Sequence, residues 1–150
     1  MSVEIATEKA IDNHIENFYI DEKSEKINAN APLIEDLSII GGKILIYFNY
    51  DSLELSEQSR ETLRIILDII SKYPNSSLLI EGYTDAEGNY WYNEKLSQAR
   101  ADVVKTYFNK KGISPLRLTA LGKGSENPRG NNKTAEGRRK NRRVEIKIEM

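Results

Sequence analysis

The chain has 150 residues, 39% hydrophobic and 30% charged, with a formal net charge of −1, proportions that suit one globular domain plus an appendage. It has no cysteine and one histidine, His14, which excludes a disulfide framework, thiolate chemistry and a His-rich metal site. No apolar run approaches the ~20 residues that span a bilayer, and Met1-Ser2-Val3 leads into charged residues, not into the apolar core of a signal peptide; a chain soluble as it stands is expected.

Residues 1–36 read as a polar, acidic lead-in. Ile11, Ile15 and Phe18 are spaced for one weak helix, and Asn28-Ala29-Asn30-Ala31-Pro32 reads as a linker. No chemistry is evident there, and a tether or docking segment is the expectation. A second unit, 37–150, has regular periodicity. Leu37–Ile40 and Lys43–Phe48 read as a hairpin around Gly41-Gly42. Ser56 can cap a helix running to about Tyr73, with Leu63, Ile66, Leu67 and Ile70 inward and Pro74-Asn75 as its stop. Ser77–Thr84 reads as a strand, Asn93–Phe108 as a helix ending before Gly112, and Leu118–Gly122 as a further strand. Thr134–Asn141 reads as a short helix within a Gly/Asn/Pro-rich loop. In Arg142–Met150, Val144, Ile146 and Ile148 alternate with charges, the pattern of a half-exposed strand. The order β-α-β-α-β-β, with a short helix before the last strand, predicts an α/β (α+β) sandwich: a mixed sheet with helices packed on one face.

One residue breaks the helical pattern. Leu96, Ala99, Val103, Val104, Tyr107 and Phe108 recur at three- and four-residue spacing. At about 100° per residue, Arg100 falls within their face, while Lys95, Gln98, Asp102, Lys105 and Asn109 fall opposite. A guanidinium cannot neutralise itself by losing a proton. An inward one needs an anionic partner or must line a cavity that takes an anion. Asp85, in the turn Thr84-Asp85-Ala86-Glu87-Gly88, is the natural candidate to sit beside it, with Asn93 on the same helix face. Two readings stay open. Asp85 can be a turn or cap residue, and the pair can be a structural salt bridge that leaves no charge for a ligand.

Other motifs carry less. Gly82, Gly88 and Gly122-Lys123-Gly124 fit neither nucleotide-loop spacing, and nucleophile–base triads lack parts. Asp85 and Glu87 are neighbouring acids of the kind usually solvated or capping. Charge is uneven: residues 1–62 hold thirteen acids and five bases, and 123–143 eight bases and two acids. That basic segment allows a nucleic-acid reading. However, the aromatics Tyr83, Tyr90, Trp91 and Tyr92 lie elsewhere in the sequence, where core packing is their commoner use and stacking on a ligand the alternative.

Taken together, Gly82-Tyr83-Thr84-Asp85-x-x-Gly88, Tyr92-Asn93-x-x-Leu96-Ser97-x-x-Arg100-Ala101, Gly112-Ile113, Gly122-x-Gly124, Pro128, Asn132 and Asn141-Arg142-Arg143-Val144-Glu145-Ile146 resemble the OmpA-like peptidoglycan-binding domain over residues 37–150. That domain is shared by outer-membrane porin tails, the peptidoglycan-associated lipoprotein and flagellar stator subunits. The resemblance implies a non-catalytic grip on the diaminopimelate of the cell-wall stem peptide, with no cofactor. Asp85 would pair with the ligand ammonium, and Arg100 would take its carboxylate through the planar fork. Asn93 and Arg143 would line the same pocket, with Arg143 meeting a second carboxylate. Asp51 would sit at the pocket edge, and backbone amides at Ala86 and Glu87 would add donors. Without ligand, water or Asp85 would satisfy Arg100. The chain departs from the family in having Tyr83 where histidine is usual, Asn49 where aspartate is frequent and Asp51 where asparagine is. By the same resemblance the protein belongs in the periplasm, associated with the outer membrane, and an envelope membrane protein is a candidate partner for residues 1–36. A nucleic-acid-binding α/β domain using 123–143 ranks second, and a cell-wall hydrolase, lacking a nucleophile or metal site, third.

Overall fold

Val144, Ile146 and Ile148 occupy every second position of the last strand and are buried without residual exposure, so that strand lies in the middle of the sheet and not at its edge. The computed structural model describes residues 38–40 and 42–150; the weak helix and linker expected within 1–36 lie outside the described residues. The elements are β1 (Ser38–Ile40), β2 (Lys43–Tyr47), α1 (Glu57–Lys72), β3 (Ser77–Gly82), α2 (Tyr90–Lys110), a 3-10 turn (Pro115–Arg117), β4 (Leu118–Gly122), α3 (Ala135–Asn141) and β5 (Arg143–Glu149). The sheet order is β1-β2-β5-β3-β4. Only β3 and β4 are parallel, because α2 crosses between them. The other pairs are antiparallel. The result is the expected α/β sandwich with a mixed sheet.

Local chemistry sets the boundaries. Ser56 accepts the Ser59 amide and starts α1, Asn89 accepts the Tyr92 amide and starts α2, and Thr134 accepts the Gly137 amide and starts α3. The strands put Ile44, Ile46, Leu78, Ile80, Leu118, Val144, Ile146 and Ile148 into one core with Leu63, Ile66, Ile69 and Ile70 of α1 and Ala101, Val104 and Phe108 of α2. Leu67 is only half-buried and Ile69 takes the inward place instead.

Two further expectations are corrected. The buried stripe of α2 is Asn93, Ser97, Arg100, Ala101, Val104 and Phe108, rotated from the most apolar stripe, so Leu96, Ala99 and Val103 are half-buried. Small residues face the sheet because the helix backbone comes very close to it: a Cβ on Gly82 would overlap the Ser97 carbonyl, and one on Gly122 would meet the Gln98 backbone. Arg100 still faces inward, as expected.

The last strand, expected to be half-exposed, is buried on its outer side as well at Arg143 and Glu145, while Lys147 and Glu149 are half-buried. Glu145 lies opposite Glu81 and Leu45 in the register. Its carboxylate is 2.7 Å from Arg143 Nε, 3.1 Å from Arg129 Nε and 3.5 Å from Lys43 Nζ. Two neighbouring glutamates repel unless cations intervene; Lys43 and Lys123 also approach Glu81, at 3.7 and 3.8 Å. The charges at the start of the strand, Arg143 and Glu145, thus belong to an ionic layer and not to a wet surface.

Candidate functional site

The pocket forms where β3 ends and α2 begins. Past Gly82 the chain is pinned by Tyr83 N–H donating to the Arg143 carbonyl at 2.8 Å and Thr84 N–H donating to the Gly124 carbonyl at 2.8 Å. This delivers Asp85, only 4% exposed, to the pocket wall. One Asp85 oxygen accepts the Glu87 amide at 3.0 Å, so the turn reading of Asp85 is correct as far as it goes. The other faces Arg142 Nη1 at 3.2 Å. Asp85 therefore has a cation partner, and that partner is Arg142, not Arg100.

Arg100 is fully buried, and its hydrogen-bond partners are backbone carbonyls, not Asp85. Its Nε donates to the Ser52 carbonyl at 3.1 Å, Nη1 to the Tyr83 carbonyl at 3.2 Å and Nη2 to the Asn49 carbonyl at 3.1 Å. The ring of Phe48 lies 5.2 Å from its central carbon. Three neutral acceptors fix the fork without cancelling its charge. A guanidinium has five N–H donors, so one remains on each terminal nitrogen. Burial, then the neighbouring Arg142 charge, lowers the Arg100 pKa to about 10, with Asp85, Asp51 and Tyr92 pulling the other way. It remains a cation at neutral pH.

Around these groups lies a cleft of about 310 Å³ including its open mouth, lined also by Asp51, Thr84, Tyr92 and Asn93. Asn93, 4% exposed, is where the sequence places it. Asp51 sits at the edge in a left-handed conformation, φ 50°, and accepts the Tyr92 hydroxyl. That hydrogen bond, more than burial or charge, raises the Tyr92 pKa. Glu87 and Gly88 line the cleft and Ala86 is exposed, but neither amide expected as a ligand donor is spare: that of Ala86 donates to Asn132 Oδ1 at 3.2 Å and that of Glu87 to Asp85 Oδ1 at 3.0 Å.

Arg143 is not in this cleft. It is buried on the opposite face of the sheet, paired with Glu145 and stacked 3.9 Å over the Tyr83 ring, and its Nη2 donates to the Asn127 carbonyl at 2.8 Å. Arg142 lines the cleft instead. The signal was available: counting back from inward Val144 with a period of two sends Arg143 outward, and the preceding arginine to the helix side. Of the aromatics whose commoner use is core packing, Tyr83 is buried, but beneath Arg143 and outside the core cluster, and Tyr90, Trp91 and Tyr92 are 63%, 74% and 48% exposed. Five of the eight basic side chains in 123–143 face acids: Lys123 with Glu81, Arg129 and Arg143 with Glu145, Arg138 with Glu87 and Arg142 with Asp85. More than half of the segment's cations are thus paired with acids of the domain itself.

Residues 47–142, which carry the whole cleft, match the model of the OmpA family. The chain belongs to the OmpA family. It is 42% identical over 102 residues to outer membrane protein A of Bordetella avium, covering 68% of this chain and 53% of that protein. It is 38% identical over 105 residues to outer membrane porin F of Pseudomonas aeruginosa, covering 69% and 30%. With the peptidoglycan-binding protein ArfA of Mycobacterium tuberculosis it shares 37% identity over 111 residues, covering 74% and 33%. The chain thus spans a third to a half of these relatives. Among solved structures, the peptidoglycan-associated lipoprotein of Burkholderia pseudomallei superposes with a TM-score of 0.67 at 27% identity, over 70% of this chain and 89% of that one. The cell wall anchor of the type VI secretion system of Pseudomonas aeruginosa gives 0.58 at 28% identity, over 77% and 88%. Within the OmpA-family frame, Tyr83 takes a double role here: its carbonyl accepts from Arg100 while its ring supports Arg143.

Proposed function

We propose that this OmpA-family domain binds peptidoglycan without catalysis, holding the zwitterionic head of a diaminopimelate stem peptide between Asp85 and Arg100, and so anchors an envelope protein to the cell wall. One observation carries the reading. The Arg100 fork is clamped by three backbone carbonyls, keeps its charge and has one N–H left on each terminal nitrogen, in a cleft whose wall also carries Asp85. Such a fork suits a carboxylate taken bidentately. Asp85, with lone pairs left on both oxygens, suits an ammonium, and Arg142 beside Arg100 adds a second demand for negative charge. Asn93 can orient the ligand through its amide, and Asp51 sets charge at the mouth. What the names of ArfA, the lipoprotein and the secretion-system anchor say of those proteins supports the same partner.

On this reading the domain works in the periplasm, close to the outer membrane, and residues 1–36 tether it to a membrane protein of the envelope. The test is a calorimetric titration with a diaminopimelate stem peptide, using wild type, Asp85→Asn and Arg100→Lys. Saturable binding to wild type, lost in Asp85→Asn with the circular dichroism spectrum retained, is expected. A wild type that ignores the peptide would overturn the proposal.

A further inference from the structure

A second hollow adjoins the cleft. Tyr50, Glu87 and Arg142 line both, and the hollow adds Arg138, Arg139 and Ala135 from the start and middle of α3. Its lining holds three guanidiniums and one carboxylate. Glu87 is spent on Arg138 at 3.3 Å, and Arg138 also donates to the Asn132 carbonyl at 3.0 Å. Arg142 forms the dividing wall: it donates to the Phe48 carbonyl at 3.2 Å and faces Asp85 on the cleft side. Arg139 is exposed on α3. The cleft proper holds cations and anions in near balance, whereas the hollow has a surplus of positive charge within one side chain's width of it.

We propose that this Arg138–Arg139–Arg142 hollow is a subsite for a second carboxylate of the same ligand, the free α-carboxylate of the γ-linked glutamate that precedes diaminopimelate in a stem peptide. The inference rests on the proposed function above, which fixes where the diaminopimelate lies. The chemistry follows from charge and spacing. A γ-linked glutamate keeps its α-carboxylate off the main chain, one residue from the zwitterionic head. An arginine-lined hollow sharing a wall with the head's pocket is where that group meets guanidinium forks. Neutralising it by amidation would remove the attraction and leave the head's contacts intact. Because Arg139 is solvent-exposed, its share corresponds to an exposed ion pair, at most about fivefold in affinity, and it would weaken with salt.

The experiment is a calorimetric comparison of two diaminopimelate stem peptides, identical except that the glutamate α-carboxylate is free in one and amidated in the other, on wild type and on Arg139→Gln. Wild type should bind the free-acid peptide roughly fivefold more tightly than the amide at low salt. Arg139→Gln should bring the two within about twofold by weakening the free acid alone. Equal binding of both peptides by wild type would overturn the subsite and leave the diaminopimelate pocket standing. Discrimination that persists in Arg139→Gln and in Arg138→Gln would also overturn it, by locating the preference elsewhere. Failure of wild type to bind either peptide would bring down the pocket and the subsite together.

Discussion

Asp85 faces Arg142 Nη1 at 3.2 Å, while Arg100, in the same cleft, is held by backbone carbonyls alone. The cleft therefore contains two guanidiniums and a carboxylate whose mutual contacts do not use up the forked face of Arg100. A structural Asp85–Arg100 salt bridge would have closed the site. The observed pairing leaves it open.

Asp85→Asn tests the anion in this arrangement. The amide keeps an oxygen to accept the Glu87 N–H but loses the charge, so the fold should survive. Stem-peptide affinity should fall by at least about tenfold, the share of one charge-assisted hydrogen bond. Calorimetry with circular dichroism as a control measures both; unchanged affinity would remove Asp85 from the binding role.

Arg100→Lys separates charge from geometry. A lysine ammonium cannot span the carbonyls of Asn49, Ser52 and Tyr83 from one position as the planar fork does. The expected cost is about 3 kcal/mol of stability, read as a drop in Tm on the order of 10 °C. A variant as stable as wild type would mean that the three carbonyls are readily hydrated without arginine.

Glu145 gives a pH dependence. Burial alone would raise its pKa, but hydrogen bonds from Arg129 and Arg143 outweigh that and hold it below the ordinary carboxylate value. A depressed folded-state pKa contributes stability that is fully present above the unfolded-state value and is lost as pH falls through the folded one. Denaturant midpoints should thus hold near neutrality and fall as pH drops below the usual glutamate range near 4. Glu145→Gln should flatten part of that fall while costing about 3 kcal/mol at pH 7, since Arg143 is left buried and unpaired. A Glu145→Gln profile parallel to wild type would contradict the assignment.

Gly82→Ala should act at a distance on the site. Its Cβ would overlap the Ser97 carbonyl, forcing α2 away from the sheet and shifting Arg100 three residues on. Overpacking of this kind costs roughly 1–3 kcal/mol. The peptide affinity should fall as well as the melting temperature; a loss of stability with affinity intact would show that α2 relaxes without moving Arg100.

Much of this was legible along the chain. Period-two and period-3.6 patterns, with Ser56 as a cap, locate most elements within a residue or two, because local hydrogen bonds and the burial of branched side chains act over short stretches; α2 starts three residues before the expected Asn93, where Asn89 caps it. Arg100 was visible as an inward cation for the same reason, as was the Asp85 turn. What the sequence could not decide is which charge meets which. Arg142 and Arg143 are adjacent and chemically identical, yet one lines the cleft and the other is buried beneath the sheet with Glu145 and Tyr83. Strand alternation separates them, but only the packing of β5 between β2 and β3 buries the outer arginine, and only the loop before α1 brings the Asn49 and Ser52 carbonyls to Arg100, 51 and 48 residues away. Local sequence determines where each side chain stands on its element. Long-range packing determines its neighbours, because the desolvation that forces charges to pair exists only once the sheet and helices have closed over them.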